Sequence, residues 1–295
     1  MTDTDVSRDR DEDGSRGRSA DGDVLDRIDH YQNALPRLDA RAEDFGPLTL
    51  FVQDGAGPPL HARPTRGWSG RPVGTADVER VRARQRELGV PEAFGWIAES
   101  APELRAAAEA AGLTLDERPL LVLPEDARVP TEAVRNVPTG IAIRTLTADD
   151  PSLATAVATP YLAFAELGTQ IGTTGTEELA EAVRTHTTEI ARTATRIRTG
   201  RTTVVAAVEH GIALSSGLLP GSAAGVTEIC AIATLPTARR QGLALAVTAA
   251  LTTEARALGL KTIFLCATDE TVARIYTRLG FQHTATFLAG QGRGT

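Results

Sequence analysis

The sequence lacks most of the features that would set it apart from ordinary globular proteins. Only two of its 295 residues are cysteines, too few for a disulfide scaffold. No run of eighteen apolar residues is present, so no transmembrane helix is predicted. The acidic N-terminus has no apolar core of the kind found in secretory signals. We therefore expect a cytoplasmic protein with reduced thiols.

Positive charge is also scarce. The chain has 31 Lys and Arg residues against 38 Asp and Glu residues, a formal net charge of −7, and Lys261 is its single lysine. Residues 1–30 hold ten acidic and five basic side chains, so they carry most of the excess negative charge. Because no basic stripe appears, we expect no nucleic-acid partner. The missing apolar span likewise predicts no membrane partner.

The remaining composition is that of a globular protein with one large domain or two ordinary ones, with 42 % hydrophobic and 23 % charged residues. Residues 1–22 have one Val and no aromatic residue, so we expect a disordered acidic tail. The predicted organisation continues with an N-terminal domain over 23–124, a Pro-rich linker over 125–139 and a C-terminal domain over 140–295.

Hydrophobic periodicity and capping residues predict an alternating α/β chain. Thr75 or Asp77 is expected to cap the second helix, and Ser100 the third. The predicted helices cover 24–35, 75–88, 100–111, 152–167, 177–199, 243–258 and 270–279. The predicted strands cover 47–52, 94–98, 118–123, 141–145, 203–209, 212–219, 226–235, 262–267 and 284–288.

The two halves of the chain resemble each other in sequence. Residues 86–90 (RELGV) and 256–260 (RALGL) each close a helix and lead into a strand. Gly112 and Gly280 then follow the next helix in each half, at similar spacings. The pattern predicts an internal repeat of a helix–strand–helix–strand unit. Such units are common, so a chance resemblance is the alternative.

The stretch 227–281 contains the pattern that points to chemistry. Arg239-x-x-Gly242-x-Ala244 joins a predicted strand to an apolar helix. A glycine allows the sharp turn and close approach of the backbone to a ligand. Free N–H groups at the helix N-terminus, with Arg239 and Arg240 beside them, suit an anion such as a pyrophosphate. No GxGxxG pattern is present, so dinucleotide binding is not favoured.

This segment resembles the GNAT superfamily of N-acyltransferases. The loop just described fits the superfamily's pyrophosphate loop, and residues 233–236 (ATLP) and 273–281 (ARIYTRLGF) match the same superfamily. The resemblance covers Ile141 to about Leu288. It implies a mixed α/β sheet of the GNAT fold in the C-terminal half, and acetyl-CoA or another acyl-CoA as co-substrate, with no metal.

The resemblance also implies which residues hold the cofactor. Backbone groups of one strand would pair with the pantetheine arm, and the loop would hold the pyrophosphate. Many relatives have an Asn early in the last helix, where this chain has Asp269 and Thr271. We interpret Asp269 as a helix cap and Thr271 as the substitute contact. The implied cofactor residues are Ile232, Ala233, Thr234, Leu235, Arg239, Arg240, Gln241, Gly242, Leu243, Ala244 and Thr271.

Two residues are implied to act in catalysis. Glu228 lies where many relatives place a carboxylate that deprotonates the incoming amine, and a half-buried strand should raise its pKa. Tyr276 occupies the position of the tyrosine that protonates the departing thiolate. A backbone N–H of residues 230–234 would polarise the thioester oxygen. The alternatives are an edge carboxylate and a packing aromatic.

Other reactive residue types are expected to be structural. Cys230 and Cys266 lie in apolar strands and are interpreted as small hydrophobic residues rather than acyl-cysteine nucleophiles. His210 is expected in a hairpin turn, and His283 is expected to face solvent. No cluster has the spacing of metal ligands.

The first half is predicted to be a truncated, degenerate GNAT-like unit, a layout similar to tandem GNAT proteins. Its segment 46–64 resembles a type seen in actinobacterial GNAT proteins. Ala108 stands where Tyr276 stands, and residues 70–74 replace the anion loop, so we expect no catalysis there.

The resulting prediction is an N-acetyltransferase that transfers acetyl to a primary amine of a small molecule or a protein by direct attack. A non-catalytic acyl-CoA-binding module and a GNAT fold diverted to other acyl-CoA chemistry are the alternatives. A homodimer is left open.

Overall fold

The structure is a computed structural model that describes residues 20–53, 60–130 and 132–292. The predicted tail falls mostly outside these ranges, but residues 20–22 belong to the first helix, so the tail is shorter than predicted. No helix among the described residues is both long enough and apolar enough to cross a membrane.

Helices and strands alternate through most of the described chain. The helices are α1 (Ala20–Ala34), α2 (Thr75–Glu87), α3 (Pro102–Ala110), α4 (Glu132–Arg135), α5 (Leu153–Ala165), α6 (Thr176–Thr185), α7 (Thr187–Arg198), α8 (Leu243–Ala257) and α9 (Glu270–Thr277). The strands are β1 (Ala40–Asp44), β2 (Leu48–Gln53), β3 (Arg63–Pro64), β4 (Ala93–Ile97), β5 (Leu113–Leu123), β6 (Ala142–Leu146), β7 (Thr203–Glu209), β8 (Ile212–Leu219), β9 (Ser222–Ala223), β10 (Val226–Glu228), β11 (Cys230–Thr234), β12 (Thr262–Cys266) and β13 (Gln282–Gly292).

The two halves of the chain share one central sheet. Its six strands run in the order β4-β13-β5-β12-β10-β9, so β13 of the second half lies between β4 and β5 of the first. A four-stranded sheet has the order β11-β8-β7-β6, and a three-stranded sheet has the order β1-β2-β3. The strand exchange explains why β5 begins at Leu113, five residues before the predicted strand: β13 pairs with it over its full length. The proposed domain boundaries remain a prediction.

The central sheet also shows the internal repeat. β4 and β5 correspond to β12 and β13, and the order β4-β13-β5-β12 places each half's last strand beside the other half's first. Ala62 forms a parallel bridge to Phe94, the second residue of β4. Thr227 pairs in parallel with Ile263, the second residue of β12. The repeat therefore extends to the strand that precedes each unit.

Each face of the central sheet is covered by different helices. Ile263 and Leu265 of β12 face the cluster that contains Val247 of α8 and Ala273 of α9. The opposite face packs against α1, where the Tyr31 ring meets the Phe264 ring edge-to-face at 5.4 Å. Residues of both halves, including Ile97, Leu120, Val226 and Phe287, contribute to this second cluster. The face under α1 is thus built jointly by the two halves.

Several predicted boundaries are wrong for local reasons. The helix predicted over 177–199 is interrupted at His186, whose backbone leaves helical angles (φ −105°, ψ 28°) and whose ring stacks on Tyr161 at 3.5 Å. Ala101, not Ser100, precedes α3, because Pro102 begins the helix. Gly74, not Thr75 or Asp77, is the N-cap residue of α2, and its backbone N–H donates to the Asp77 carboxylate at 2.9 Å.

Candidate active site

The strand predicted over 226–235 divides at Ile229 and joins two sheets. β10 pairs in parallel with β12, and the Ile229 N–H still donates to the Phe264 carbonyl at 2.8 Å. The chain then leaves β12, and β11 pairs with β8 of the other sheet. The two strands β11 and β12 consequently diverge and leave a gap between the sheets.

A β-bulge in β11 accompanies this divergence. The register passes from Cys230–Leu218 to Ala233–Ser216, so Ala231 and Ile232 together oppose Gly217. Ala231 has φ +52°, an uncommon angle for a residue with a side chain. A bulge bends the strand and turns its backbone groups away from the regular ladder. The irregular backbone of β11 therefore lies where β11 and β12 begin to diverge.

A cavity of about 580 Å³ fills the gap. One wall is β11, whose second edge pairs with no other described strand. The opposite wall is the end of β12 with α9, and the loop before α8 closes one end. Phe164 and Leu167, at the end of α5, form an apolar rim that the sequence did not indicate.

The loop before α8 presents a row of free backbone N–H groups. Arg240 and Gly242 both have positive φ, +67° and +78°. No acceptor among the described residues takes the N–H groups of residues 240–245, and the first helical bond runs from Ala246 N–H to Gly242 O at 3.0 Å. Consecutive N–H groups at a helix N-terminus form a concave anion site. This geometry fits the pyrophosphate group that the loop sequence predicts.

The side chain of Arg239 does not serve this anion site. Its guanidinium donates to the carbonyls of Ala163, Glu166 and Gln170, and the residue is only 9 % exposed. Arg239 nevertheless lines the cavity, so its place among the cofactor residues stays a prediction. Its guanidinium ties the loop to the end of α5, because those three carbonyls would otherwise lack a donor at the helix end.

The other predicted cofactor residues divide into two groups. Leu235 is fully buried and Gln241 is exposed, and neither lines the cavity, so these two contacts are not supported. Asp269 caps α9 by accepting from the Val272 N–H at 2.9 Å, as interpreted from the sequence. The predicted residues that do line the cavity are Ile232, Ala233, Thr234, Arg239, Arg240, Gly242, Leu243, Ala244 and Thr271.

Tyr276 lies on the α9 wall of the cavity. Its ring packs edge-to-face with Phe281 at 6.4 Å, and the residue is 6 % exposed. Burial raises the pKa of the phenol. A raised pKa keeps the hydroxyl protonated, so it is a hydrogen-bond donor to whatever negative charge develops in the cavity.

Glu228 lies at the end of β10, on the face of the sheet that packs against α1. Its backbone N–H donates to the Tyr31 hydroxyl at 3.3 Å. No hydrogen bond or ion pair joins its half-buried carboxylate to another described residue. Burial raises the pKa of this carboxyl to about 7, against an opposing effect of the nearby Arg63 charge. The expectation of a raised pKa is confirmed.

The two cysteines connect these regions. Cys230 and Cys266 line the cavity, and both interact electrostatically with Glu228. Burial raises the pKa of both thiols well above the ordinary value, so they stay neutral. A neutral thiol is a poor nucleophile, which agrees with their interpretation as packing residues. His210 lies in the turn between β7 and β8, as expected.

Among the described residues of the first half, the start of α2 corresponds to this loop, and its helix N-terminus is already occupied by a carboxylate. At the start of α2 the Asp77 carboxylate accepts from the Gly74 N–H and pairs with Arg71 and Arg80 at 2.6 Å each. These cations lower the pKa of Asp77, so the site carries its own anion. Ala108, the counterpart of Tyr276, is fully buried in the core.

Comparisons with known proteins agree with this geometry. A model of the FR47-like protein family matches residues 222–288. No curated protein matches the chain. A GCN5-related N-acetyltransferase from Kribbella flavida is similar in structure with a TM-score of 0.66 and 22 % identity, over 92 % of this chain and 96 % of that one.

Two further solved structures are similar over most of their length. One is a GCN5-related N-acetyltransferase-like protein from Streptococcus suis, with a TM-score of 0.54 and 12 % identity over 92 % and 99 % of the two chains. The other is a tandem GNAT protein from the clavulanic acid biosynthesis pathway, with a TM-score of 0.51 and 17 % identity over 84 % and 79 %. The resemblance read from the sequence is therefore confirmed: the chain has the GNAT fold in a two-half arrangement, and its residues 222–288 match the FR47-like family.

Proposed function

We propose that the protein is an acyl-CoA-dependent N-acyltransferase that moves acetyl from acetyl-CoA to a primary amine of a small molecule or a protein. The observation that carries this proposal is the cavity between the diverging strands. It has a row of free N–H groups at one end and a protonated phenol in its wall, and the residue before its lining residue Ile229 carries a carboxyl with a pKa of about 7.

The cavity accounts for each part of a CoA thioester. The N–H groups of residues 240–245 would receive the pyrophosphate oxygens. The pantetheine arm is an amide chain, and it would add to the unpaired edge of β11 as an extra strand at Ile232–Thr234. The thioester would then lie near the bulge at Ala231, where a backbone N–H of residues 230–234 would polarise its oxygen.

Glu228 is suited to remove the proton from the incoming amine. Near neutral pH a carboxyl with a pKa of about 7 is partly ionised and is a far stronger base than a solvent-exposed carboxylate. Because Glu228 faces away from the cavity, the amine would approach through the gap beside Cys230 and Cys266.

The reaction then balances as a direct acyl transfer. The neutral amine nitrogen attacks the thioester carbon, and the C–S bond breaks as the C–N bond forms. The departing thiolate accepts a hydrogen bond and then a proton from the Tyr276 hydroxyl, and the second proton that the nitrogen loses as it becomes an amide restores the phenol through solvent. The proton removed from the amine leaves through Glu228. The products are an amide and CoA with a free thiol.

Release of that thiol provides the test. A panel of primary amines is incubated with acetyl-CoA, and free thiol is followed with a chromogenic disulfide, while calorimetry measures CoA binding. We expect binding together with amine-dependent thiol release. Binding without release for any amine would favour the non-catalytic module, and no binding would contradict the proposal. The two free thiols suit a reducing compartment, so we propose a cytoplasmic location.

A further inference from the structure

A half-buried arginine of the first half, Arg63, lies on the same face as Glu228. Arg63 follows the bridge residue Ala62 just as Glu228 follows Thr227, so the internal repeat gives the two side chains corresponding positions. Arg63 donates to Gln32, and the backbone N–H of Glu228 donates to the hydroxyl of Tyr31, the residue before Gln32 on α1. The two charges also interact, although Arg63 lies in β3, beside β4, and Glu228 lies in β10, separated from β4 by three strands of the central sheet. Side chains from both halves therefore converge under α1.

The hydrogen-bonding capacity of Arg63 is only partly used. One terminal nitrogen, Nη1, donates to Gln32 Oε1 at 2.8 Å and to the Gly95 carbonyl at 3.3 Å. The Nε atom is buried and has no partner in the described part of the chain. The guanidinium carbon stands 5.7 Å from the centre of the Phe287 ring. A guanidinium has five donors in a fixed fork, so this one retains capacity for a further acceptor.

No described carboxylate forms an ion pair with this cation. Asp29 is near enough to affect Arg63, but its carboxylate pairs with the exposed Arg66 at 3.3 Å instead. Arg118 also acts on this region, beside the half-buried and neutral His61, but it is paired with Asp116 at 2.7 Å. Arg63 thus has neutral partners but no ionic one, and a bound anion would complete its contacts.

Glu228 and Arg63 thus offer opposite charges that are close but not paired. Both side chains lie outside the set of residues that lines the CoA cavity, and Cys230 and Cys266 link the two regions. An acceptor placed here would have its amine at Glu228, from where it would reach the thioester through the gap beside Cys230 and Cys266, and a second group at Arg63. A carboxylate is the group whose two oxygens match the arginine fork.

We propose that the acceptor is an amino acid, whose amine faces Glu228 and whose carboxylate binds Arg63. This inference rests on the proposed function and extends it to a substrate class. It also gives the first half a role, since that half supplies the anion-binding side chain of a site whose base and cofactor loop belong to the second half.

Binding measurements test this inference without depending on turnover. Calorimetry in the presence of CoA compares glycine and the ω-amino acids of three to six carbons with the matching primary alkylamines, and L-α-amino acids with their α-amides. We expect at least one amino acid to bind about 10- to 100-fold more tightly than its uncharged partner, the difference expected for a charge-assisted contact. If no acid binds more tightly than its partner, the inference is overturned.

Two variants assign that preference to the arginine. Arg63→Gln should bring the ratio between acid and uncharged partner close to one, and Arg63→Lys should retain part of it. Arg86→Gln is the matched control, since Arg86 is exposed, belongs to the same half and pairs with Glu92 away from α1, and it should leave the ratio unchanged. An unchanged ratio in a folded Arg63→Gln variant would also overturn the inference. If that variant does not fold, the comparison of acids with their uncharged partners on the wild-type protein still tests the inference.

The outcomes also separate this inference from the proposed function. Thiol release with uncharged amines at the rate seen with amino acids would support acyl transfer and refute the amino-acid acceptor. Tighter binding of amino acids without thiol release from acetyl-CoA would support the carboxylate site and contradict the transferase.

Discussion

Replacing Glu228 by Gln should make the protein more stable and less active. Burial raises the pKa of this carboxyl from 4.5 to about 7. At 1.36 kcal/mol per pH unit, that shift corresponds to about 3 kcal/mol of destabilisation once the group is ionised in both the folded and the unfolded protein. Gln has nearly the same shape and cannot ionise, so it removes this penalty.

The sign of the effect follows from proton binding. Between pH 4.5 and 7 the unfolded chain loses the Glu228 proton while the folded chain keeps it, so the stability of the wild-type protein falls across this window and levels off above it. The stability difference between Glu228→Gln and wild type should therefore be near zero below pH 4.5 and rise to at most about 3 kcal/mol above pH 7.

Urea denaturation at pH 4.5, 6 and 8 measures this difference. Glu109→Gln is the control, because Glu109 is an exposed carboxylate on α3 far from the gap. It should give a small difference that does not grow over the same pH range. If Glu228→Gln gains nothing at pH 8, or gains equally at pH 4.5, the carboxyl is not titrating as argued.

The activity of the same variant is the second measurement. Losing a general base costs on the order of 10²–10⁴-fold. The deficit should be largest near neutral pH and smaller near pH 10, where a free amine has already lost its proton. Activity within a few-fold of wild type, with a parallel pH profile, would remove Glu228 from the mechanism even if the stability result holds.

Three further predictions concern the cofactor site. Gly242→Val should weaken CoA binding on the order of 100-fold in calorimetry, because a β-branched residue resists the φ of +78° that shapes the loop. The control is Gly259→Val, which is equally strained at φ +75° but remote from the loop, and which should retain CoA binding. Tyr276→Phe should lower turnover while the CoA Kd stays nearly constant, with the exposed Tyr161→Phe as control; equal loss of both quantities would indicate a packing role. CoA titration should give one site per chain, since Asp77 occupies the corresponding helix start in the first half, and a stoichiometry of two would contradict this.

The local features of the second half could be predicted from the sequence. The loop from Arg239 to Ala244, the helix α8 that follows it and the position of Tyr276 depend on patterns a few residues long. Backbone sterics determine where a glycine allows the turn between a strand and an apolar helix. Local burial determines the helix itself, whose apolar residues repeat every 3.6 residues. The cap at Asp269 and the raised pKa of Glu228 were predicted for the same reason.

Contacts between distant residues were decided by the tertiary structure alone. Arg239 looked like a phosphate ligand, but three carbonyls around the end of α5 take its guanidinium. The stretch 226–235 reads as one strand, and only its two different pairing partners divide it at Ile229. No local pattern encodes a hydrogen-bond acceptor more than sixty residues away, since such pairings depend on how the elements assemble.

The convergence of the two halves is the clearest case. The sequence by itself predicted a repeated unit, a degenerate first copy and an anion-binding loop in the second copy. The exchange of β5 and β13 between the halves, and with it the approach of Arg63 to Glu228, came only from the tertiary structure. The physical reason is that strand partners are selected by burial of both faces of the shared sheet, which involves residues of both halves at once.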